Sequence, residues 1–287
     1  MVTIPGASSR KRTSIRDQAL RGLDRLPALS PHVGRLLSRL AFRNVDYKEI
    51  AALASKDALL CAHLLRAVNA AGLAQSQPIT SVRQAVSLLG IRRLRQIALG
   101  CILSNIFSHE PTPPSWSRQR FNLHSGATAL LTEAILESLP QDNKDGAFVA
   151  GMLHDFGKLL IAITVPEEYE MIAAMALVRE QAVFDCEREM LGTDHAELSA
   201  LALRKWGVPE PVCQAVRQHH DPEAASQLSI VIAKADCFVN HLGITVLPPA
   251  LHETEPPSIE IPGAEFDTGG VLQRFESECI EFANFFQ

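Results

Sequence analysis

The chain has 287 residues, 47% of them hydrophobic and 21% charged, with a formal net charge of −5. That length suits two ordinary domains, and the apolar share is enough for packed cores, which excludes a largely disordered chain. Basic residues gather only in short clusters, Arg10 to Arg12 and Arg92 to Arg95, which read as solvated faces, so nucleic acid is not an expected partner.

The opening stretch MVTIPGASSRKRTSIRDQ has no apolar core and is not expected to be a signal peptide. No run reaches the ~18 to 20 uninterrupted apolar residues of a membrane helix, so no membrane contact is expected. The six cysteines, at 61, 101, 186, 213, 237 and 279, sit singly in apolar patterns without a CxxC spacing. They are expected to be reduced core thiols of a cytoplasmic protein.

Residues 1–22 are expected to form a flexible N-terminal segment. Apolar residues at three- and four-residue steps then predict helices over 33–42, 47–56, 59–72, 82–90 and 94–107. Asp46 with Glu49, and Ser81 with Gln84, stand at capping-box spacing. Gly72 and Gly90 follow the last periodic residues as left-handed stops. The stretch HEPTPPS, 109–115, cannot continue a helix because three of four consecutive positions are proline. A second helical set is predicted over 116–139, 145–163, 167–190, 194–206, 209–219 and 226–242, with Pro166 and Pro209 in first-turn positions and Gly207 at a stop. Residues 244–264, rich in proline and acid, are expected to be an extended linker before a last amphipathic helix, about 270–285, within 265–287. Its apolar stripe (Val271, Leu272, Phe275, Cys279, Phe282, Phe285, Phe286) suits either a homodimer interface or packing back onto the body. Strand alternation is missing apart from an ambiguous IEI at 259–261. The predicted fold is all-α, a two-lobed multi-helix bundle with lobes at 23–108 and 116–243.

Polar residues misplaced in these apolar patterns mark the candidate site. Five of the ten histidines, His124, His154, His195, His219 and His220, lie in or at the ends of apolar helical patterns of the C-terminal half. Asp155, in GMLHDFGKLL, and Asp236, in SIVIAKADCFVNHLG, join them. Burying a carboxylate costs several kcal/mol, about, unless a cation, a metal or hydrogen bonds compensate. Imidazole with carboxylate is a mixed ligand set suited to Zn, Mn or Fe. Each residue alone has a plainer reading. His219 and His220 can be an exposed helix end, Asp236 can pair with Lys234, and Asp194 reads as an N-cap with Glu197. His32, His63 and His241 read as ordinary hydrogen-bonded histidines. Five histidines and two acids on consecutive helices of one half favour a shared site.

The order His124, His154-Asp155, Asp236 resembles the H…HD…D pattern of the HD superfamily of metal-dependent phosphohydrolases. The N-terminal half sharpens this. The LP at 26–27, KDALLCAHLLRAVNAA, PITSVRQAVSLLG before a basic helix, then FGKLL and GTDHAELSALALRKWGVPEPVCQAV, resemble the HDOD domain of bacterial signalling proteins over roughly 23–243. The resemblance implies that His124, His154, Asp155 and Asp236 form a first-metal set. His195, His219 and His220 would match the added histidines of the HD-GYP cyclic di-GMP phosphodiesterases, and Lys158 their HDxGK lysine, a catalytic group if the protein is an enzyme. HHDPEAA after His219 lacks the GYP-type stretch that names that group. The family is regarded as mostly non-catalytic. The expected function is therefore a regulatory protein acting through contacts with a signalling partner, its site gated by a divalent metal or a nucleotide second messenger. The alternative is a metal-dependent phosphohydrolase or phosphodiesterase acting on a nucleotide.

Overall fold

Amphipathic stripes at helical spacing need a partner surface, and here they find one another. The computed structural model describes residues 14–24, 26, 31–42, 44–70, 77–105, 107–140, 144–221, 226–247 and 257–285. The helices are α1 (Ile15–Arg21), α2 (Pro31–Leu40), α3 (Tyr47–Ala54), α4 (Ala58–Ala70), α5 (Val82–Asn105), α6 (Arg118–Ser138) and α7 (Ala147–Leu153). They continue as α8 (Phe156–Thr164), α9 (Pro166–Arg179), α10 (Val183–Leu191), α11 (His195–Lys205), α12 (Glu210–Arg217), α13 (Gln227–His241) and α14 (Thr268–Phe285). Among the described residues there is no strand. At 259–261 the two isoleucines are buried and Glu260 between them is exposed, without strand pairing.

Local chemistry accounts for most ends. Asp46 caps α3 by accepting from the Lys48 N–H. Glu49 does not complete a capping box, because its carboxylate is taken by Arg35 and Arg39. Gly90, at φ 73 and ψ 168, breaks α5 into two helical arms, since an L-side chain is strained at that φ. Pro166 opens α9, and Gly207, at φ 74, follows the end of α11. Pro209 sits one place earlier than expected, as the N-cap of α12. The expected stop at Gly72, residues 1–13 and residues 248–256 lie outside the described residues.

Three predicted elements come out differently. Residues 15–21, assigned to a flexible terminus, form α1. Ser14 and Asp17 make a capping box there, Ala19 is buried, and the helix packs on α8 and α10. The helix predicted over 167–190 is two helices, with Glu180 in the left-handed region at φ 53. The helix predicted over 145–163 is also two, parted at His154 and Asp155. By length and composition Ala147–Thr164 is apolar enough to cross a membrane, but 94% of it is buried inside the fold.

The apolar core is continuous across the proline-rich break. One cluster runs from Leu36 and Leu37 of α2 through Leu94 and Leu99 of α5 to Phe148, Phe156 and Leu203, and on to Phe275 and Phe282 of α14. A small satellite joins Val68, Ile79 and Ala85. The stripe of α14 packs back along α6, burying Val271, Phe275 and Phe282, while Phe286 lies outside the described residues. In the described parts of 244–264, Val246, Ile259 and Ile261 are buried against the body.

The cluster at 92–95 is not a solvated face. Arg95 is buried and donates to Glu133 at 2.7 Å and to the Phe42 carbonyl at 3.2 Å. Arg92 reaches Glu133, Glu137 and Glu278, and Arg274 of α14 reaches Glu137 and Glu278. Arg93 pairs with Glu281. Eight charged side chains on α5, α6 and α14 thus tie both halves and the last helix together. Removing one member of a buried pair leaves the other unpaired, at a cost of about 3–5 kcal/mol. Glu133→Ala is expected to destabilise by about 3 kcal/mol in urea unfolding, with Glu133→Gln losing less; an unchanged midpoint for both would show the pair to be idle.

Candidate metal centre

A helix turns about 100° per residue, so adjacent residues in one unbroken helix cannot face one point. The break between α7 and α8 removes that obstacle. His154 ends α7, and its ring Nδ1 turns back onto the Gly151 carbonyl at 2.8 Å. Asp155 follows at φ −96 and ψ 7, outside the helical range. Gly157 then brings the first turn of α8 hard against α11. A Cβ there would stand 2.1 Å from the His195 carbonyl oxygen, and the Gly157 N–H donates to Ser199 Oγ at 2.7 Å.

The structure brings all seven predicted ligand residues together, in two adjoining groups. His124, His154, Asp155 and Asp236 offer atoms that lie within 4.8 Å of one another, and so do His195, His219 and His220. Asp155 joins the two. Its Oδ2 lies 3.2 Å from His124 Nε2, and its Oδ1 lies 3.2 Å from His195 Nε2. Asp236 Oδ1 is 3.1 Å from His124 Nε2 and 3.5 Å from His154 Nε2, and it accepts from Asn240 at 2.8 Å. Lys158 Nζ donates to Asp155 Oδ2 at 2.6 Å.

The imidazoles are oriented by a common device. In four of the five, His124, His154, His195 and His219, Nδ1 is held by an acceptor and Nε2 is left to face the centre. His124 Nδ1 meets the Ile244 carbonyl at 2.8 Å, and His219 Nδ1 meets the Val216 carbonyl at 2.6 Å. His195 Nδ1 meets Glu187 Oε2 at 2.6 Å, and the same oxygen accepts the His195 backbone N–H at 2.8 Å. A backbone carbonyl only accepts, so Nδ1 of His124, His154 and His219 carries a proton, and in the neutral form of each ring the lone pair lies on Nε2, facing the centre. The Nε2 atoms of these three residues, and Asp155 Oδ1, are buried without a hydrogen bond of acceptable geometry. Outer acceptors that fix the tautomer, with bare inward nitrogens, are the arrangement of metal-ligating histidine. The residues therefore fit a transition metal.

His220 is half-buried, with its Nε2 2.8 Å from His195 Nε2. Phe184 stacks on its ring, centroids 4.3 Å apart at 16°, with the Arg188 guanidinium 5.0 Å from the Phe184 centroid. Beside the centre lies a cavity of about 690 Å³, bordered by Lys158, His195, His219, His220 and Asp236 and walled by α9, α10 and α13.

Charge decides the protonation states. Burial works against charging His124, but Asp155 and Asp236 outweigh it and raise its pKa to about 9. Burial opposes charging His195 too, and Glu187 foremost carries it to about 9. His219 is pushed down to about 3 by burial and by His154 and His195, and His220 is lowered by burial and His219. Burial disfavours ionised Asp155, yet His154, Lys158 and His195 hold it well below the usual carboxylate range. Asp236 is likewise lowered against its burial by His124 and His154.

His63 stands apart beside Arg66, whereas His241 borders the cavity. Asp194 is the N-cap of α11, as its spacing to Glu197 suggests. Sequence reasoning missed Glu187, Phe184 and Asn240. Glu187 sits in EREM like any surface acid, and only the packing of α10 against α11 shows its purpose.

Losing an outer partner of a ligating histidine costs about 10–100-fold in metal affinity. Glu187→Ala is expected to weaken binding at the His195 group by that factor in a chelator-competition titration, with the helical circular dichroism unchanged. The raised pKa values of His124 and His195 also predict a pH window. Their stabilisation is complete below the unfolded value of 6.5 and lost as pH rises through about 9. The lowered His219 and His220 act oppositely, losing theirs as pH falls below 6.5. The Tm of chelator-treated protein should therefore peak near neutrality and fall toward pH 9, about two units on. A flat profile over that range would contradict the charged pairs.

Comparison with known proteins bears on the fold and the family. An uncharacterised protein of Treponema pallidum (strain Nichols) is 24% identical over 228 residues, covering 77% of this chain. The chain spans 43% of the length of that relative. Among solved structures, an HDOD domain protein of unknown function from Geobacter sulfurreducens superposes with a TM-score of 0.72 at 23% identity, covering 94% of this chain and 95% of its own. A provisionally named phosphohydrolase from Shewanella amazonensis SB2B gives 0.69 at 21%, covering 94% and 98%. A provisionally named signal transduction protein from Marinobacter aquaeolei VT8 gives 0.71 at 18%, covering 94% and 64%. At these identities the likeness shows the fold alone. The model of the HDOD domain matches residues 26–222, more than half of the chain, and this protein belongs to the HDOD domain family.

Proposed function

We propose that this chain is a metal-binding regulatory module of cytoplasmic signalling. In this reading its two helical halves, 23–108 and 116–243, act as lobes of one unit that reports through contact with a signalling protein. One observation carries the metal half: the Nε2 atoms of His124, His154 and His195 converge on two buried carboxylates, His219 and His220 adjoin His195, and four of the five rings are pinned through Nδ1. The ions suited to imidazole and carboxylate together are Mn, Fe and Zn. The signal transduction name of the Marinobacter neighbour agrees with the regulatory half.

Three features weigh against turnover. Lys158, the cation beside the site, is engaged with Asp155 at 2.6 Å. The HHDPEAA stretch lacks the GYP-type segment. No acid on the cavity wall other than Asp236, a ligand candidate, and Glu170 stands ready to protonate a leaving group, and Glu170 already accepts the Ser115 N–H at 2.9 Å.

The second reading, a metal-dependent phosphohydrolase or phosphodiesterase acting on a nucleotide, is favoured by the complete donor set bordering an open cavity. A bound divalent metal would supply Lewis-acid polarisation of a phosphate and a water of lowered pKa. The chain's own part would be to hold the ions through the seven ligands and to keep Lys158 beside the phosphate.

Elemental analysis of the untagged protein, beside the His154→Ala/Asp155→Ala variant, tests the metal. About one equivalent or more of transition metal, lost in the variant, is the expected result; none after incubation with Mn, Fe and Zn would overturn both readings of the site. Turnover of cyclic dinucleotides by the loaded wild type, abolished by chelation, would select the hydrolase.

A further inference from the structure

The cavity beside the centre has two unlike ends. Its inner end is the cluster itself: Lys158, His195, His219, His220 and Asp236. The remaining wall is largely aliphatic, with Ala173 and Leu177 from α9, Val183 from α10, Ala233 from α13, and Val246 and Leu247 beyond it. At about 690 Å³ it is of a size that holds a small organic molecule.

The wall is poorly furnished for a nucleotide. Lys158 is the one Lys or Arg among its lining residues, and its ammonium is 2.6 Å from the Asp155 carboxylate. A cyclic dinucleotide carries two phosphates, and each needs a cation or several donors to replace its water. One phosphate would reach the metal ions. The other would meet no further Lys or Arg among the described lining residues, but rather aliphatic side chains, the polar side chains of Ser115, Gln181, Asn240, His241 and Thr245, and the Glu170 carboxylate. A base gains from an aromatic face to stack on, yet among the described residues Phe184 is the sole Phe, Tyr or Trp of the lining and its ring lies against His220. Such a wall instead rewards buried hydrocarbon.

We propose that the cavity binds a single-headed amphiphile, whose one anionic head ligates the metal centre and whose aliphatic body lies against the wall of α9, α10 and α13. This rests on the metal reading above and narrows its ligand from a nucleotide second messenger to a small acid or phosphomonoester with a hydrocarbon chain.

The experiment is a calorimetric series on the full-length, Mn-loaded protein with inorganic phosphate, then butyl, hexyl and octyl phosphate below their micellar concentrations. Octanoate and cyclic di-GMP form separate arms. Each methylene buried is worth about a fourfold gain in affinity, so each step of two methylenes should tighten binding about 15-fold until the wall is filled. Octanoate against octyl phosphate tells a carboxylate head from a phosphate head. Ala173→Phe, which fills the wall, and Leu177→Glu, at a position 56% exposed and so tolerant of charge, should flatten the series while Mn content stays unchanged. A series independent of chain length, or cyclic di-GMP binding tighter than octyl phosphate, would overturn the proposal. The two readings fail separately. If Mn does not bind but metal-free protein still shows a chain-length gain that both variants flatten, the metal reading falls and the amphiphile stands. If Mn binds and the series is flat, the reverse holds.

Discussion

A carboxylate with no exposed surface, Asp155, sets the terms for this half of the molecule. A charge buried that deeply is tolerated only where partners surround it. Four residues supply them: His124 from α6, His154 from the end of α7, His195 from the start of α11 and Lys158 from α8. Much of the local architecture follows from getting those four to one carboxylate. The α7–α8 helix breaks so that His154 and Asp155 can face the same point. The residue two places on is glycine, because any side chain there would strike the His195 carbonyl. Glu187 lies buried beneath His195 to hold its ring, and Phe184 lies on His220.

Helices, and the histidines that do not suit them, were legible in the sequence because both leave local marks. Apolar residues at helical steps placed most elements, and each of the seven ligand candidates stood out as a polar side chain in an apolar pattern. Features settled by distant packing left no such mark. Nothing in MLHDF is a helix breaker, and nothing in VREQA announces a left-handed Glu180, since neither stretch holds glycine or proline. Glu187 looks like any exposed acid until α10 is folded against α11. Arg92 looks solvated because its partner Glu133 is 41 residues away and Glu278 lies on the last helix. Long-range ion pairs have no period to detect.

The two halves were separable on paper at 109–115 but share one core, and α6 is the reason. This helix presents His124 to the metal centre and, nine residues on, Glu133 to Arg95 and Arg92 of α5, with Glu137 to Arg274 of α14 a turn further. At 1.5 Å per residue those sites are about 14 Å apart on one rigid rod. A shift of His124 relative to α13 therefore bears on the buried arginines that fasten the N-terminal half. One rigid helix thus joins the candidate centre to the ion pairs of α5 and α14.

The same centre satisfies its charges in two ways. Asp155, Asp236 and Glu187 are three carboxylates, and Lys158 with protonated His124 and His195 makes three cations to match. Protons on the two histidines place positive charge against these carboxylates where divalent ions would otherwise do so. Metal must displace those protons, because an imidazole ligates only through a bare nitrogen. Metal binding at such a site is therefore coupled to proton release and depends on pH.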